Sequence, residues 1–303
     1  MKLRLLFFAA FLSLASCSSD DSTDPVNGNP VDKNLKEIAR YNDGEDQISE
    51  LRKFTDNKMT ERYIYNEGEA YFSDLYTYNE QGLLISRTAS IEDQTAVTEI
   101  TYDELGKIIA MDVTSSFSGN PYSVDHSTVD YTEEGVIKVT MINVQGSDTT
   151  VSKYNYYLDA QGRVYKIASV NSNEELNYLC EAVYNGNNVV TYYSNMDSET
   201  GTYLNSSIYT YDNETVVKGD FLKIAYNQFG DNKANHVLFK QTGIVGIAVI
   251  SENYLIANET VSFDQEYSGT VTYEFDNDGF PVKQTAFVDG EVDPVSEFVI
   301  TYE

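Results

Sequence analysis

The chain has 303 residues, with 20 Lys and Arg against 48 Asp and Glu, and a net charge of −28. A surface of that sign repels the phosphates of nucleic acid and of anionic lipid heads, which excludes both as expected partners. Two cysteines are too few for a disulfide framework, and the length suits one large all-β domain.

Lys2 and Arg4 begin the chain, an apolar run follows from Leu5 to Leu14, and small residues lead into Cys17. That pattern reads as a signal peptide over residues 1–16. Leu14-Ala15-Ser16-Cys17 resembles the lipobox of bacterial lipoproteins, which implies cleavage before Cys17 and lipid on that cysteine. Ser18-Ser19-Asp20-Asp21 is similar to the acidic export signal that carries such lipoproteins to the outer face of the outer membrane. An acidic linker on a periplasm-facing lipoprotein is the alternative. Residues 17–36 are polar and hold little apolar surface to offset ordering, so they read as a flexible acidic tether.

A single domain is expected over residues 37–303. Within it one unit recurs: an aromatic residue, a turn rich in Asp, Asn and Gly, then a β-branched or apolar run. Tyr78-Asn79-Glu80-Gln81-Gly82, Tyr102-Asp103-Glu104-Leu105-Gly106 and Tyr131-Thr132-Glu133-Glu134-Gly135 are copies. Leu158 to Gly162, Tyr184 to Asn188, Tyr211 to Thr215 and Phe275 to Gly279 continue the series. Tyr41-Asn42-Asp43-Gly44 and Tyr65-Asn66-Glu67-Gly68 read as degenerate early copies. The anchors at 102, 131, 158, 184 and 211 are 26 to 29 residues apart, the spacing of a repeated supersecondary unit. Asn, Asp and Gly supply hairpin turns, and the flanks alternate with period two. Val271, Tyr273 and Phe275 share one face, and Phe298, Ile300 and Tyr302 share another.

Two strands per unit predict roughly 16 to 20 antiparallel strands, a number too large for an open twisted sheet. The expectation is a hairpin-repeat meander, strongly curled or closed into a soluble barrel. One stretch, around 220–260, breaks the period and reads as a partly helical or irregular plug or cap. It contains Gly230-Asp231-Asn232-Lys233-Ala234-Asn235-His236 and the apolar run from Gly243 to Ile250.

The aromatic-Asp/Asn-x-x-Gly hairpins resemble the YD-repeat, or Rhs-like, motif. With the lipobox they resemble Bacteroidetes-type YD-repeat lipoproteins, among them the DUF4595-like domains described as having a porin-like fold. The resemblance covers about residues 38–303. It implies a fold and an envelope location, and it implies no catalytic residues.

Motifs for chemistry are sparse. His126 and His236 read as polar loop residues, far from each other and from Cys180, which reads as a buried inert thiol. No spacing suits a zinc site, a nucleophile elbow or a phosphate loop. Asp276-Asn277-Asp278-Gly279 resembles part of a calcium loop but lacks the later ligands, so it reads as turn chemistry. Asp21-Ser22-Thr23 and Asp148-Thr149-Thr150 match a short bacterial O-glycosylation pattern. No catalytic residue, metal or cofactor is assigned. The expected role is non-catalytic binding or structure in a lipid-anchored outer-membrane protein exposed at the cell surface, with the membrane, through lipid on Cys17, and a glycan or envelope protein as expected partners. A polysaccharide hydrolase using two carboxylates is the alternative. Lys138, Lys166, Glu99 and Glu274 fall within predicted strands, which argues against burial of the barrel in lipid.

Overall fold

The computed structural model describes residues 33–42, 47–186, 188–197, 200–212, 214–215, 233–240, 253–262, 265–288 and 296–303. Cys17 to Asp21, Asp21-Ser22-Thr23 and the run Gly243 to Ile250 lie outside them. In chain order the strands are β1 (Leu35–Asn42), β2 (Ile48–Thr55), β3 (Lys58–Asn66), β4 (Glu69–Tyr78), β5 (Leu84–Ile91) and β6 (Gln94–Tyr102). They continue with β7 (Ile108–Phe117), β8 (Asn120–Asp130), β9 (Val136–Gln145), β10 (Asp148–Leu158), β11 (Val164–Val170) and β12 (Leu176–Asn185). The last are β13 (Asn188–Met196), β14 (Tyr203–Asp212), β15 (Tyr254–Ser262), β16 (Gln265–Phe275), β17 (Pro281–Val288) and β18 (Ser296–Tyr302), with helix α1 (Lys233–Lys240) between β14 and β15. The first strand begins at Leu35, so the last two residues of the range read as tether are strand.

Each strand pairs antiparallel with its neighbours in the chain, and β1 pairs with both β2 and β18. The 18-stranded sheet therefore closes into a barrel, which leaves no edge to pair with another chain. The expected meander is borne out, and closure rather than curling is how it is satisfied.

Alternating strand direction sends the connections to two ends. The described repeat turns lie at one end, together with Lys33, Glu303 and α1; this is the capped end. Four turns there, which start at Asn79, Asp103, Asp159 and Asp276, are built the same way. Asp103 Oδ1 accepts the backbone N–H groups of Leu105 and Lys107, both at 2.9 Å. Asp276 Oδ1 does the same for Asp278 at 2.9 Å and Phe280 at 3.0 Å. Gly106 (φ +74) and Gly279 (φ +83) take the left-handed conformation that closes the turn, which a side chain would strain. The turn chemistry expected at Asp276 to Gly279 is thus what forms, with Lys33 Nζ 2.7 Å from Asp276 and 2.6 Å from Asp278.

The anchor tyrosines have a common task. The register slips beside most of them, for example between Thr77 and Tyr78 and between Thr101 and Tyr102. Such a bulge leaves ladder groups unpaired on the neighbouring strand. The phenol of the next anchor supplies a donor to the carbonyl there. Tyr78 donates to Met59 O at 2.8 Å, Tyr131 to Ile108 O at 2.9 Å and Tyr184 to Val164 O at 2.8 Å. Tyr211 and Tyr302 repeat this with Val189 O and Pro281 O, at 2.6 and 2.9 Å. Burial pushes the phenols of Tyr78, Tyr131, Tyr184 and Tyr302 above their ordinary range, so they remain protonated donors. Tyr131→Phe is expected to cost about 1 kcal/mol, because a carbonyl loses its partner. Urea unfolding measures this, with the exposed Tyr71→Phe near zero as the control; equal effects would deny the phenol its role.

Two early copies are corrected. Tyr65-Asn66-Glu67-Gly68 lies at the opposite rim, where Glu67 (φ 51) and Gly68 (φ 84) form a two-residue turn. Tyr41 and Asn42 end β1 at that same rim. The repeat advances by two strands, and both segments sit one strand out of phase. The copy in phase is Phe54-Thr55-Asp56-Asn57, with Asp56 and Asn57 both at positive φ.

The core fills the capped half of the barrel. One buried cluster gathers Leu35, Ile38, Phe54, Met59, Leu84 and Ile108 among others, and a second gathers Ile137, Tyr156, Val164, Ile167, Cys180 and Val189. Helix α1 joins them: Val237 and Leu238 belong to the second, while Phe239 packs on the first. The expected plug is therefore present as this helix. Its range is corrected, since Tyr254 onward is the regular strand β15. Asn235 fixes the helix by donating to Gly106 O at 2.7 Å and accepting Ile108 N–H at 3.1 Å.

Candidate functional site

Above the apolar plug, the inward face changes character on β1 to β5. Register partners share a face, so Arg52, opposite Ile38, points inward. Arg40 lies opposite Glu50, Arg62 opposite Arg52 and Asp74, and Arg87 opposite Tyr76. Ile38 and Tyr76 belong to the core, so all six ionic residues occupy the lumen side. Four of the chain's six arginines stand in this layer.

Five of the six groups, all but Arg40, form a connected set. Glu50 Oε1 accepts from Arg52 Nε at 2.8 Å and Arg62 Nε at 2.7 Å. Asp74 Oδ1 accepts from Arg87 Nε at 2.7 Å, and Arg62 Nη1 lies 3.6 Å from Asp74 Oδ2. Tyr76 donates to Asp74 Oδ2 at 3.3 Å. Asp74 is fully buried and Glu50 is 6% exposed. The side chains of Arg62 and Arg87 remain 30% exposed, so water reaches both. Arg40 Nε is buried without a hydrogen-bond partner among the described residues, and its guanidinium stands over the Phe298 ring at 5.6 Å.

Burial alone would raise the Glu50 carboxyl, but the charges of Arg52 and Arg62 outweigh it and hold the carboxyl below its ordinary value of 4.5. A carboxylate depressed in the folded state contributes stability above the unfolded value and loses it as pH falls. Thermal midpoints are expected to stay flat above about pH 5 and to fall below it, with a shallower acid limb in Glu50→Gln. Identical acid limbs in the two proteins would remove Glu50 from the account.

The outward face is different. Its strand lysines pair with carboxylates: Lys53 with Glu61 at 3.0 Å, Lys166 with Glu181 at 3.2 Å and Lys283 with Glu297 at 2.6 Å. Lys138, Lys166, Glu99 and Glu274 do lie in strands, namely β9, β11, β6 and β16. His126 is corrected: it sits in β8 rather than a loop, and its Nδ1 meets Asp112 at 2.6 Å on the exposed outer wall. His126 lies opposite Asp112 in the ladder, so strand pairing holds it there. His236 falls in α1 rather than in a loop, because the helix begins at Lys233.

Cys180 is a buried free thiol, and burial pushes it up, as expected of an inert position. Asp148-Thr149-Thr150 opens β10 in exposed positions. Among the described residues no group of three or more His, Cys, Asp or Glu could hold a metal ion. Among them, too, no helix is long and apolar enough to cross a membrane.

The arginine layer was not anticipated from the residues. A signal for it exists: Ile38-x-Arg40 and Arg52-x-Phe54 place a charge on the apolar parity of an alternating strand.

No family model and no curated protein matches the chain. The resemblance to YD-repeat lipoproteins therefore stands on its turn motifs alone. Solved structures do match. A porin-like protein from Bacteroides vulgatus is 12% identical, with 90% of this chain and 99% of that one covered, at a TM-score of 0.41. A porin-like protein from Bacteroides uniformis is 13% identical, with 89% and 96% covered, at a TM-score of 0.44. The closed barrel itself rests on this chain's own strand pairing.

Proposed function

We propose that this chain is a non-catalytic binding protein of the bacterial envelope: a barrel held at the outer membrane by lipid on Cys17. The observation that carries the non-catalytic reading is the ionised state of Glu50 in the lumen. Glycoside hydrolysis by two carboxyl groups needs one of them protonated near neutral pH as the acid. Glu50 is instead held ionised by Arg52 and Arg62.

The reading of the barrel as water-exposed rather than lipid-embedded is supported by its outer wall. A lipid-facing wall needs an apolar band about 25 Å tall. Here ion pairs and lone charges stand on the outward face of β2, β3, β6, β9, β11, β12 and β16 to β18. Attachment then falls to Cys17, with Ser18, Ser19, Asp20 and Asp21 as the export signal that sends it to the cell surface. A glycan or another envelope protein is the partner class this placement suits.

Fractionation tests the address. Wild-type chain is expected in the membrane fraction and accessible to external protease. Cys17→Ser is expected in the soluble fraction, and Asp20→Ala with Asp21→Ala is expected to remain membrane-bound but become protected from protease. Membrane retention by Cys17→Ser would overturn lipid anchoring.

A further inference from the structure

We infer that the arginine layer in the lumen is a binding site for an oxyanion-bearing solute, the carboxylate or sulfate groups of an acidic saccharide being the class it fits. Among the described residues the layer places four guanidinium groups beside two carboxylates on β1 to β5, and one further carboxylate, Asp125 on β8, shares the inward face. The chain as a whole carries −28, so a concentration of four of its six arginines in this layer runs against its composition. Isolated charge is costly to hold out of water, and proteins pair it or leave it for a ligand to pair.

The donors are available in the required form. Arg87 hydrogen-bonds Asp74 through Nε alone, so its two terminal nitrogens are without hydrogen-bond partners among the described residues. Arg62 uses Nε on Glu50 and approaches Asp74 only at 3.6 Å. Arg40 Nε is buried and unpartnered. Planar forks of this kind match two-oxygen acceptors, which a lysine ammonium does not. The described strand lysines that form ion pairs do so on the outer wall, so the two cations are sorted by face.

The carboxylates fix the forks while offsetting only part of their charge. Glu50 orients Arg52 and Arg62, and Asp74 orients Arg87, each through Nε. The exposed parts of Arg62 and Arg87 then face solvent already oriented, which lowers the ordering cost of binding. Inward Phe72 and Ile64 share the register of Arg62 and Asp74 and give an apolar side to the seat, with the Arg62 guanidinium 5.9 Å from the Phe72 ring.

This inference rests on the non-catalytic binding reading, and the two fail separately. A misplaced Cys17→Ser variant leaves the lumen untested, and a lumen that binds nothing leaves the address intact. Calorimetric titration of the full chain at low salt would use trigalacturonate, inorganic sulfate and neutral galactotriose. Trigalacturonate is expected to bind, galactotriose is not, and affinity should fall as salt rises. Arg87→Gln and Arg62→Gln are expected to weaken binding at least tenfold, Arg87→Lys less, and Lys53→Gln on the outer wall not at all. Sulfate binding as tightly as trigalacturonate would assign the site to a free oxyanion; tighter trigalacturonate would assign it to a saccharide. No binding of either anion, equal binding of galactotriose, or unchanged affinity in folded Arg87→Gln would each overturn the proposal. Where Arg62→Gln fails to fold, the salt dependence of the wild-type chain and the Arg87 variants carry the decision.

Discussion

Asp74→Ala is expected to lower the unfolding free energy by about 3–5 kcal/mol, the range for breaking a buried ion pair from one side. Asp74 is fully buried, and Arg87 Nε sits 2.7 Å from it. Removing the carboxylate leaves Arg87 without its only described partner and takes one contact from Arg62. Tyr76 loses its acceptor as well. The excess positive charge of the layer then grows, so neighbouring arginines add repulsion to lost bonding. Denaturant unfolding measures the effect, and Asp74→Asn separates charge from shape. A loss below about 1 kcal/mol would mean the layer is solvated like a surface pair.

The second large effect belongs to the plug. Leu238→Ala is expected to cost about 2–5 kcal/mol, since the side chain is 1% exposed and its removal leaves a cavity. The loss should appear in the global transition, because α1 touches both core clusters through Val237, Leu238 and Phe239. Hydrogen exchange distinguishes the alternative. If only the amides of Lys233–Lys240 lose protection while the strands keep theirs, the helix is a docked piece rather than part of the core.

The period of the turns made the barrel legible, because the sharp copies at Asn79, Asp103, Asp159 and Asp276 each accept the same two amides to close a hairpin. The aromatic anchors were legible as a repeat, but the task of their phenols was not: they repair bulges, and bulges leave no mark in the residues that carry them. The two misplaced early copies show the same limit: Tyr65-Asn66-Glu67-Gly68 has the right letters at the wrong end, and phase is a property of strand count. The helix was foreseeable as a break in the period, but not which of its faces would be buried. The arginine layer was readable only with strand parity in hand. Alternation puts Arg40 and Arg52 on the apolar side, but nothing in their spacing says that Glu50 and Asp74 would join them. The segment from Cys17 to Asp21 lies outside the described residues, so its reading still rests on its resemblance to a lipobox and export signal.

The pairing of β1 with β18 bears on how the chain assembles. Every other pairing joins strands consecutive in the chain, and all of these but β14 with β15 close over short connections that cost little loop entropy. The seam is different, since there Leu35 pairs with Tyr302, and Asn34 and Glu303 exchange backbone hydrogen bonds at 3.3 and 2.9 Å. During synthesis β1 therefore remains an open edge until β18 emerges, and an open edge is a template for the wrong partner. The row of arginines that begins on β1 keeps that early sheet charged on the face that will become the lumen.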